Sequence, residues 1–264
     1  MSRPIGVFDS GIGGLTVLRE IVRALPDQSI VFLGDTARVP YGTRGIEVIS
    51  GFAAELADFL IARDVQYLVA ACNTISSTCL DELQERVPVP VLGVVEPAVR
   101  AAVSQTNTRR IGIIGTRATV GSGFYAAQIN AANPGVEVFS QACPLFVPLA
   151  EEGMLNAPPT RLIAADYLAP LQGKGIDTLI LGCTHYPLLR SVIQDVMGPE
   201  VTLVDSAAPT AEDLAHRLAE GGFERDDEAP SYDLFVTDAP GRVETVARLF
   251  FGEELPGRLQ RVTL

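Results

Sequence analysis

The stretches YLVAACNT at residues 67–74 and TLILGCTH at residues 178–185 are built on one plan. Each is a short apolar run that ends in a cysteine, Cys72 or Cys183, and continues into a polar turn that contains a threonine. Apolar runs of this length between turn signals are typical of buried strands. The two stretches therefore predict two equivalent strands of a duplicated unit, each with a thiol at its end.

The duplication extends beyond the cysteines, because IGVFDSG from Ile5 resembles IGIIGTR from Ile111. Short β-branched runs alternate with longer helical patterns, and this alternation predicts βαβ units around parallel sheets. We expect an α/β fold with two pseudo-symmetric α/β domains, mainly parallel sheets, and an active site in the interdomain cleft. The predicted strands cover residues 5–8, 30–33, 67–71, 89–94, 111–114, 136–139, 178–181 and 201–204.

Apolar residues at three- and four-residue spacing predict amphipathic helices over residues 15–25 and 46–60. A charge-dense stretch at residues 224–228 is predicted to be a solvated turn. The sequence leaves open which domain the C-terminal tail joins. That tail is predicted to contain a helix over residues 211–220, a strand over 232–237, a helix over 242–250 and a closing strand.

Composition narrows the classes of partner. The net charge is −12, and this argues against nucleic acid, which needs a basic face to bind phosphates. The sequence begins without a basic segment followed by a long apolar run, and no run approaches the ~18 apolar residues of a membrane span. We therefore expect a soluble cytoplasmic protein with no membrane partner, whose four cysteines are free thiols.

The sequence also argues against two kinds of cofactor. Lys174 is the only lysine and lies in a Gly-Lys-Gly loop, which is a poor place for the Schiff base of pyridoxal phosphate. Cys183 and His185 could offer two ligands to a metal, but no set of cysteines has zinc-ribbon spacing, and His216 is the only other histidine. We expect an enzyme with no cofactor and no metal.

Polar clusters follow the predicted strands where their carboxyl ends should meet, which is where open parallel sheets bind ligands. If two such sheets face each other, the clusters converge on one ligand between them. The clusters lie at residues 9–11, 35–42, 72–74, 116–119 and 183–185.

Two thiols on opposite sides of a cleft could remove a proton from one face of a carbon and return one to the other face. A free thiol titrates near ~8.5, and a strand-to-helix turn is expected to favour its anion. Asp9 is a candidate base for Cys72, and His185 or Glu151 for Cys183. A single cysteine at the end of a buried strand is usually a core residue. The equivalent positions of the pair favour catalysis instead.

The chain resembles the cofactor-independent glutamate racemases of bacterial cell-wall synthesis, within the aspartate/glutamate racemase superfamily. The resemblance covers nearly the whole chain and implies reversible conversion of L-glutamate to D-glutamate for peptidoglycan. It also implies two domains, residues 1–97 plus 209–264 and residues 98–208, and a homodimer. The segments that carry it are FDSGIGGLTVL from Phe8, GDTARVPYG from Gly34, AACNT from Ala71, IGTRAT from Ile114, VPLAEEG from Val147 and GCTHYPLL from Gly182.

The same resemblance implies roles for individual residues. Cys72 would act on D-glutamate with help from Asp9, and Cys183 on L-glutamate with help from His185 and Glu151. Glu152 is an adjacent rival for the role of Glu151. The residues implied to bind substrate are Asp9, Ser10, Tyr41, Gly42, Asn73, Thr74, Thr116, Thr119, Thr184 and His185.

Other interpretations remain open. An aspartate or hydantoin racemase would keep the paired cysteines but not the full set of segments, and a one-cysteine decarboxylase or isomerase would leave one thiol unused. A non-catalytic clamshell that binds an amino acid gives no reason for two thiols. A Cys-His hydrolase would need only one.

Overall fold

The structure is a computed structural model that describes residues 3–223, 229–238, 240–252 and 254–264. The segment at residues 224–228, predicted to be a solvated turn, lies outside these ranges. Within them the chain forms two parallel sheets flanked by helices, which confirms the predicted α/β class. The strands are β1 Ile5–Asp9, β2 Ile30–Gly34, β3 Tyr67–Ala70, β4 Val91–Gly93, β5 Arg110–Gly115, β6 Glu137–Ala142, β7 Thr178–Gly182, β8 Thr202–Asp205, β9 Tyr232–Val236 and β10 Leu259–Arg261.

The two sheets share one strand order. The first runs β10-β9-β2-β1-β3-β4 and the second β6-β5-β7-β8. The order β2-β1-β3-β4 in the first sheet is therefore repeated as β6-β5-β7-β8 in the second. Cys72 follows β3 and Cys183 follows β7, so the two thiols occupy equivalent places in the repeat.

The C-terminal tail adds its strands to the first sheet. Strand β9 pairs with β2 in parallel, and β10 pairs with β9. This pairing supplies what the sequence left open. Because the strands of the tail belong to the first sheet, we propose that residues 1–97 with 209–264 form one domain and residues 98–208 the other.

Both faces of the inner strands are buried, because side chains along a strand alternate between faces and helices cover both, whereas the edge strands β6 and β10 are partly exposed. In β1, Val7 belongs to one core cluster and Phe8 to a second on the other face. In the second sheet, Ile113 and Ile114 divide in the same way. This two-sided burial explains why the strands read as near-continuous apolar runs instead of an alternating pattern.

The helices confirm most of the predicted spacing. Leu15, Leu18, Ile49 and Leu56 are buried against the first sheet, whereas Ile46, at the first position of its helix, is exposed. Among the described residues, no helix combines the length and the apolar character needed to cross a membrane. The helices are α1 Leu15–Ala24, α2 Ile46–Ile61, α3 Asn73–Thr78, α4 Leu80–Arg86, α5 Val95–Gln105, α6 Arg117–Gly121, α7 Phe124–Ala132, α8 Phe146–Glu151, α9 Pro158–Leu168, α10 Arg190–Met197, α11 Ala207–Gly221 and α12 Pro240–Phe251.

Candidate active site

A narrow cavity lies where the carboxyl ends of strands from the two sheets meet. Both Cys72 and Cys183 form part of its wall. Ligands commonly bind at such strand ends, because the turns there lead into helix N-termini. The predicted site residues on the wall are Ser10, Tyr41, Gly42, Cys72, Asn73, Thr74, Thr116, Cys183, Thr184 and His185.

Three predicted residues lie behind the wall instead of on it. Glu151 reaches the cavity through His185, and Thr119 through the hydroxyl of Thr116. Asp9 is fully buried beside the turn that carries Ser10. These three residues therefore support the wall and do not line it.

Cys72 is buried, and its surroundings favour the protonated thiol. Its Sγ donates a hydrogen bond to Oγ of Ser10 at 3.3 Å. Burial, with a further contribution from the charge of Asp9, raises the pKa of the Cys72 thiol to about 12, although the bond to Ser10 opposes the rise. The strand-to-helix turn favours the thiolate of Cys72 as expected, since the backbone N–H of Ile75 lowers the pKa, but burial outweighs this effect.

Asp9 is anchored by backbone groups. Its Oδ2 accepts hydrogen bonds from the N–H groups of Gly11 at 3.2 Å and Gly14 at 3.0 Å. Its Oδ1 is buried without a partner. Burial raises the pKa of Asp9, while the positive charge of His185 and the backbone N–H groups oppose that rise. An unpartnered buried acceptor is costly, so Oδ1 is suited to receive a donor from a ligand or from a neighbouring thiol.

Cys183 lies next to a chain of two side chains, His185 and then Glu151, that could relay protons. Nδ1 of His185 lies 3.9 Å from Sγ of Cys183, and its Nε2 lies 3.0 Å from Oε1 of Glu151. Burial opposes protonation of His185, but the hydrogen bonds with Cys183 and Glu151 outweigh it and raise the pKa of His185 to about 10. A protonated imidazole held in this way can stabilise an anionic sulfur at Cys183.

The relay extends from the buried thiol to the surface. His185 is buried against the ring of Phe250, at 4.8 Å between ring centroids. The Glu151 side chain is 31% exposed and lines a neighbouring cavity. Glu152 also lines that cavity but forms no bond with His185. The geometry thus favours Glu151 over its neighbour, and it gives Cys183 a route for protons toward the surface.

Three threonine hydroxyls form a cluster that joins the two sheets. Oγ1 of Thr74, at the start of α3, lies 3.1 Å from Oγ1 of Thr116 and 3.3 Å from Oγ1 of Thr119. The hydroxyls of Thr116 and Thr119 are 3.0 Å apart. Thr116 also caps α6, because its Oγ1 accepts the N–H of Thr119. Such a cluster of donors can hold a carboxylate.

The loop at residues 35–42 closes another side of the cavity. The hydroxyl of Tyr41, a wall residue, donates to Oδ2 of Asp35, whose side chain is fully buried. Thr237 of the C-terminal tail donates to the other oxygen of Asp35 at 2.8 Å. A Cβ on Gly42 would lie 2.4 Å from Cβ of Thr116, so only glycine allows this approach. Gly42 and Pro40 lie on the wall, and Asp35 fixes their loop from behind.

Two residues near the site had no predicted role. Asp35 lies inside the GDTARVPYG segment, so the sequence indicated that this loop matters. The sequence alone does not show that the Asp35 carboxylate binds Tyr41 and Thr237. Tyr125 donates to Oδ1 of Asn73 at 2.6 Å, and no pattern around it in the sequence indicates this bond.

Within the described part of the chain, no group of three or more His, Cys, Asp and Glu side chains is arranged to bind a metal ion. The described cysteines are all free and buried. Cys79 and Cys143 belong to core clusters, away from the cavity wall.

Comparisons with known proteins agree with this geometry. A profile of the Asp/Glu/Hydantoin racemase family matches residues 5–214. A glutamate racemase of Geobacter metallireducens is 48% identical over 263 residues, which cover 99% of this chain and 97% of that protein.

Solved structures of glutamate racemases are also similar to this chain. A crystal structure of glutamate racemase from Francisella tularensis in complex with D-glutamate has a TM-score of 0.93 at 39% identity, and covers 99% of this chain and 98% of its own. A glutamate racemase from Bacillus anthracis has a TM-score of 0.95 at 38% identity, with the same two coverages.

Proposed function

The chain belongs to the Asp/Glu/Hydantoin racemase family, and we propose that it interconverts L-glutamate and D-glutamate without a cofactor. The observation that carries this proposal is the presence of two thiols, Cys72 and Cys183, on the wall of one cavity. Relatives that cover nearly the whole chain are glutamate racemases, and one of them has been crystallised with D-glutamate.

The reaction uses the thiols as two bases. With L-glutamate bound, the Cys183 thiolate takes the α-proton, and the electron pair of the broken C–H bond stays on the substrate. The thiol of Cys72 then gives its proton to the opposite face and forms the new C–H bond. Cys72 is left as the thiolate and Cys183 as the thiol, which is the starting state for the reverse reaction.

The surroundings of the two thiols support this assignment. The raised pKa of Cys72 favours its thiol form, which suits it to donate a proton. Protonated His185 lies beside Cys183 and offsets the charge of a thiolate there. Asp9 would assist Cys72 when the reaction runs from D-glutamate, and Glu151 would assist Cys183 through His185.

The substrate is a dicarboxylate with one ammonium group, and the cavity offers partners for each part. The hydroxyls of Thr74, Thr116 and Thr119 suit one carboxylate. The amide of Asn73 suits a carboxylate as well. Asp9 lies behind the wall, and its unpartnered Oδ1 would accept from the ammonium group if bound substrate reaches it. The other residues proposed to bind substrate are Ser10, Tyr41, Gly42, Thr184 and His185, with the Tyr41 hydroxyl held by Asp35.

The proposal extends to the setting of the enzyme. We propose that it works in the cytoplasm as a homodimer and supplies D-glutamate for peptidoglycan. These three proposals rest on the resemblance to the glutamate racemases, whose sequence segments this chain shares.

The test is racemisation without added cofactor. The purified protein is incubated under reducing conditions with L-glutamate, and D-glutamate is measured by chiral chromatography, with L-aspartate and a 5-substituted hydantoin in parallel. We expect D-glutamate to form and the other two compounds to react at least ~100-fold more slowly. Turnover of aspartate or hydantoin in preference to glutamate would overturn the substrate assignment. Tight binding of glutamate without turnover would identify a non-catalytic clamshell.

Alanine variants test the two thiols. Cys72→Ala and Cys183→Ala should each abolish racemisation, whereas Cys79→Ala, which removes a buried thiol outside the cavity, should keep it. Near-normal turnover in either of the first two variants would contradict the two-base mechanism even if the activity is present.

A further inference from the structure

Tyr125 touches both thiol-bearing turns from a single position in α7. A Cβ on Gly182 would lie 3.3 Å from Cε2 of Tyr125, so the ring packs against the backbone one residue before Cys183. Its hydroxyl donates to Oδ1 of Asn73, the residue directly after Cys72, at 2.6 Å. One buried side chain thus links the turns that follow β3 and β7, next to the wall residues Asn73 and Cys183.

The hydroxyl is a fixed donor. Burial raises the pKa of Tyr125, and the negative charge of Cys183 raises it further, so the phenol keeps its proton. Within the described ranges, Asn73 is the only hydrogen-bond partner of this hydroxyl. If the amide of Asn73 were turned over, the O–H of Tyr125 would have no acceptor, which is costly for a buried group.

The orientation of the amide has a consequence for the cavity. With Oδ1 turned to Tyr125, the NH2 group of Asn73 has no partner and is buried. Asn73 is also on the cavity wall. An NH2 group is a donor only, so it matches a carboxylate and repels an ammonium group.

We propose that Tyr125 is a positioning residue that holds the Asn73 amide with its NH2 group toward the cavity, where it donates to a carboxylate of the substrate. This inference rests on the proposed function, because it takes the substrate to be an amino dicarboxylate. Without the phenol hydroxyl, the amide can turn its oxygen toward that carboxylate, and the bound state loses a donor.

The variant Tyr125→Phe removes the hydroxyl and keeps the ring against Gly182. The Kd for D-glutamate, measured by calorimetry, and the KM for both enantiomers should each rise roughly tenfold, because a hydrogen bond to a charged group is lost. The turnover number kcat should change by less than about threefold, since the bond holds substrate and transition state alike. Tyr167→Phe is the matched control: Tyr167 packs on Phe146 outside the cavity wall, and this variant should behave like the wild type.

Variants at Asn73 separate positioning from mere packing. In an Asn73→Ala background, Tyr125→Phe should cause no further rise in Kd, since the group that it positions is gone. Asn73→Asp is isosteric and places an anionic oxygen toward the substrate carboxylate, so its Kd should rise at least ~100-fold.

Three results would overturn the inference: an unchanged Kd and KM in Tyr125→Phe, an equal effect of Tyr125→Phe with and without Asn73, or wild-type affinity in Asn73→Asp. The wild-type measurement keeps the two proposals apart. Failure of the wild-type protein to bind or racemise glutamate would refute the proposed function, whereas wild-type activity with any of these three results would refute only the role of Tyr125.

Discussion

Replacement of Glu151 by glutamine tests the relay behind Cys183. The Glu151 carboxylate lies 3.0 Å from Nε2 of His185 and helps to raise the pKa of that histidine to about 10. Two unit charges about 4 Å apart at an effective dielectric constant near 20 interact by about 4 kcal/mol, equivalent to about 3 pKa units. Because the Glu151 side chain is 31% exposed, solvent screens it, and we expect the pKa of His185 to fall by roughly 1–2 units in Glu151→Gln.

The titration can be followed directly by NMR, because His185 and His216 are the only histidines in the chain. His216 is exposed on α11 and serves as an internal reference. Glu152→Gln is the matched control and should leave the pKa of His185 unchanged, since Glu152 forms no bond with it. An unchanged pKa of His185 in Glu151→Gln, or an equal shift in Glu152→Gln, would refute the relay.

The same variant affects stability and rate. The raised pKa of His185 contributes stability that is fully present below its unfolded value of about 6.5 and is lost as the pH rises through about 10. The stability difference between wild type and Glu151→Gln should therefore shrink between these pH values. We expect kcat to fall roughly tenfold, part of the usual effect of acid–base groups. Because the two enantiomers have equal free energy, kcat/KM must fall equally in both directions, and a change confined to one direction would indicate an artefact of the assay.

Three further predictions follow from single contacts. Gly42→Ala should lower kcat/KM at least ~100-fold, because its Cβ would meet Thr116 across the cavity and hold the cleft open. Gly45→Ala is the control and should be active, since its Cβ has no neighbour nearer than 3.5 Å. Equal activities of the two variants would contradict the prediction. Asp177→Ala should cost roughly 1–2 kcal/mol in urea unfolding at pH 7, because the carboxylate accepts two backbone N–H groups. Burial raises the pKa of Asp177, but the hydrogen bond from the Thr106 hydroxyl, together with the two N–H groups, outweighs it and lowers the pKa to about 2. The cost should therefore be present above pH 3.8 and disappear as the pH falls through 2, and a constant difference would refute the assignment. Lys174→Ala should retain full racemisation without a cofactor, and a large loss would reopen the question of a Schiff base.

The sequence predicted the fold well because its strands are buried on both faces. The apolar runs around Val7 and Ile113, between turn signals and alternating with helical patterns, are typical of a covered parallel sheet. The polar turns after Cys72 and Cys183 were predicted to converge, since parallel strands bring their carboxyl ends to one edge. The local sequence pattern and the geometry of parallel sheets were therefore sufficient to predict the strands and the meeting of the two polar turns.

The remainder depends on contacts between distant parts of the chain. The tail strand β9 pairs with β2 about 200 residues earlier, and its residues do not encode that partner. Tyr125 reads as an ordinary apolar residue of a helix, and only the meeting of the sheets reveals its bond to Asn73. The protonated state of Cys72 depends on how completely the cleft buries it, whereas the sequence revealed only the turn that it occupies.

The central claim is that two thiols act on opposite faces of the substrate, and the hydrogen at Cα tests it most directly. The protein is incubated with L-glutamate in D2O, and both enantiomers are isolated at early conversion and analysed by mass spectrometry. A thiol that exchanges with solvent delivers deuterium, so the D-glutamate formed should carry one deuterium at Cα while the remaining L-glutamate keeps its hydrogen. D-glutamate that retains the original hydrogen would mean that one group removes and returns the same proton, and the two-thiol account would be wrong.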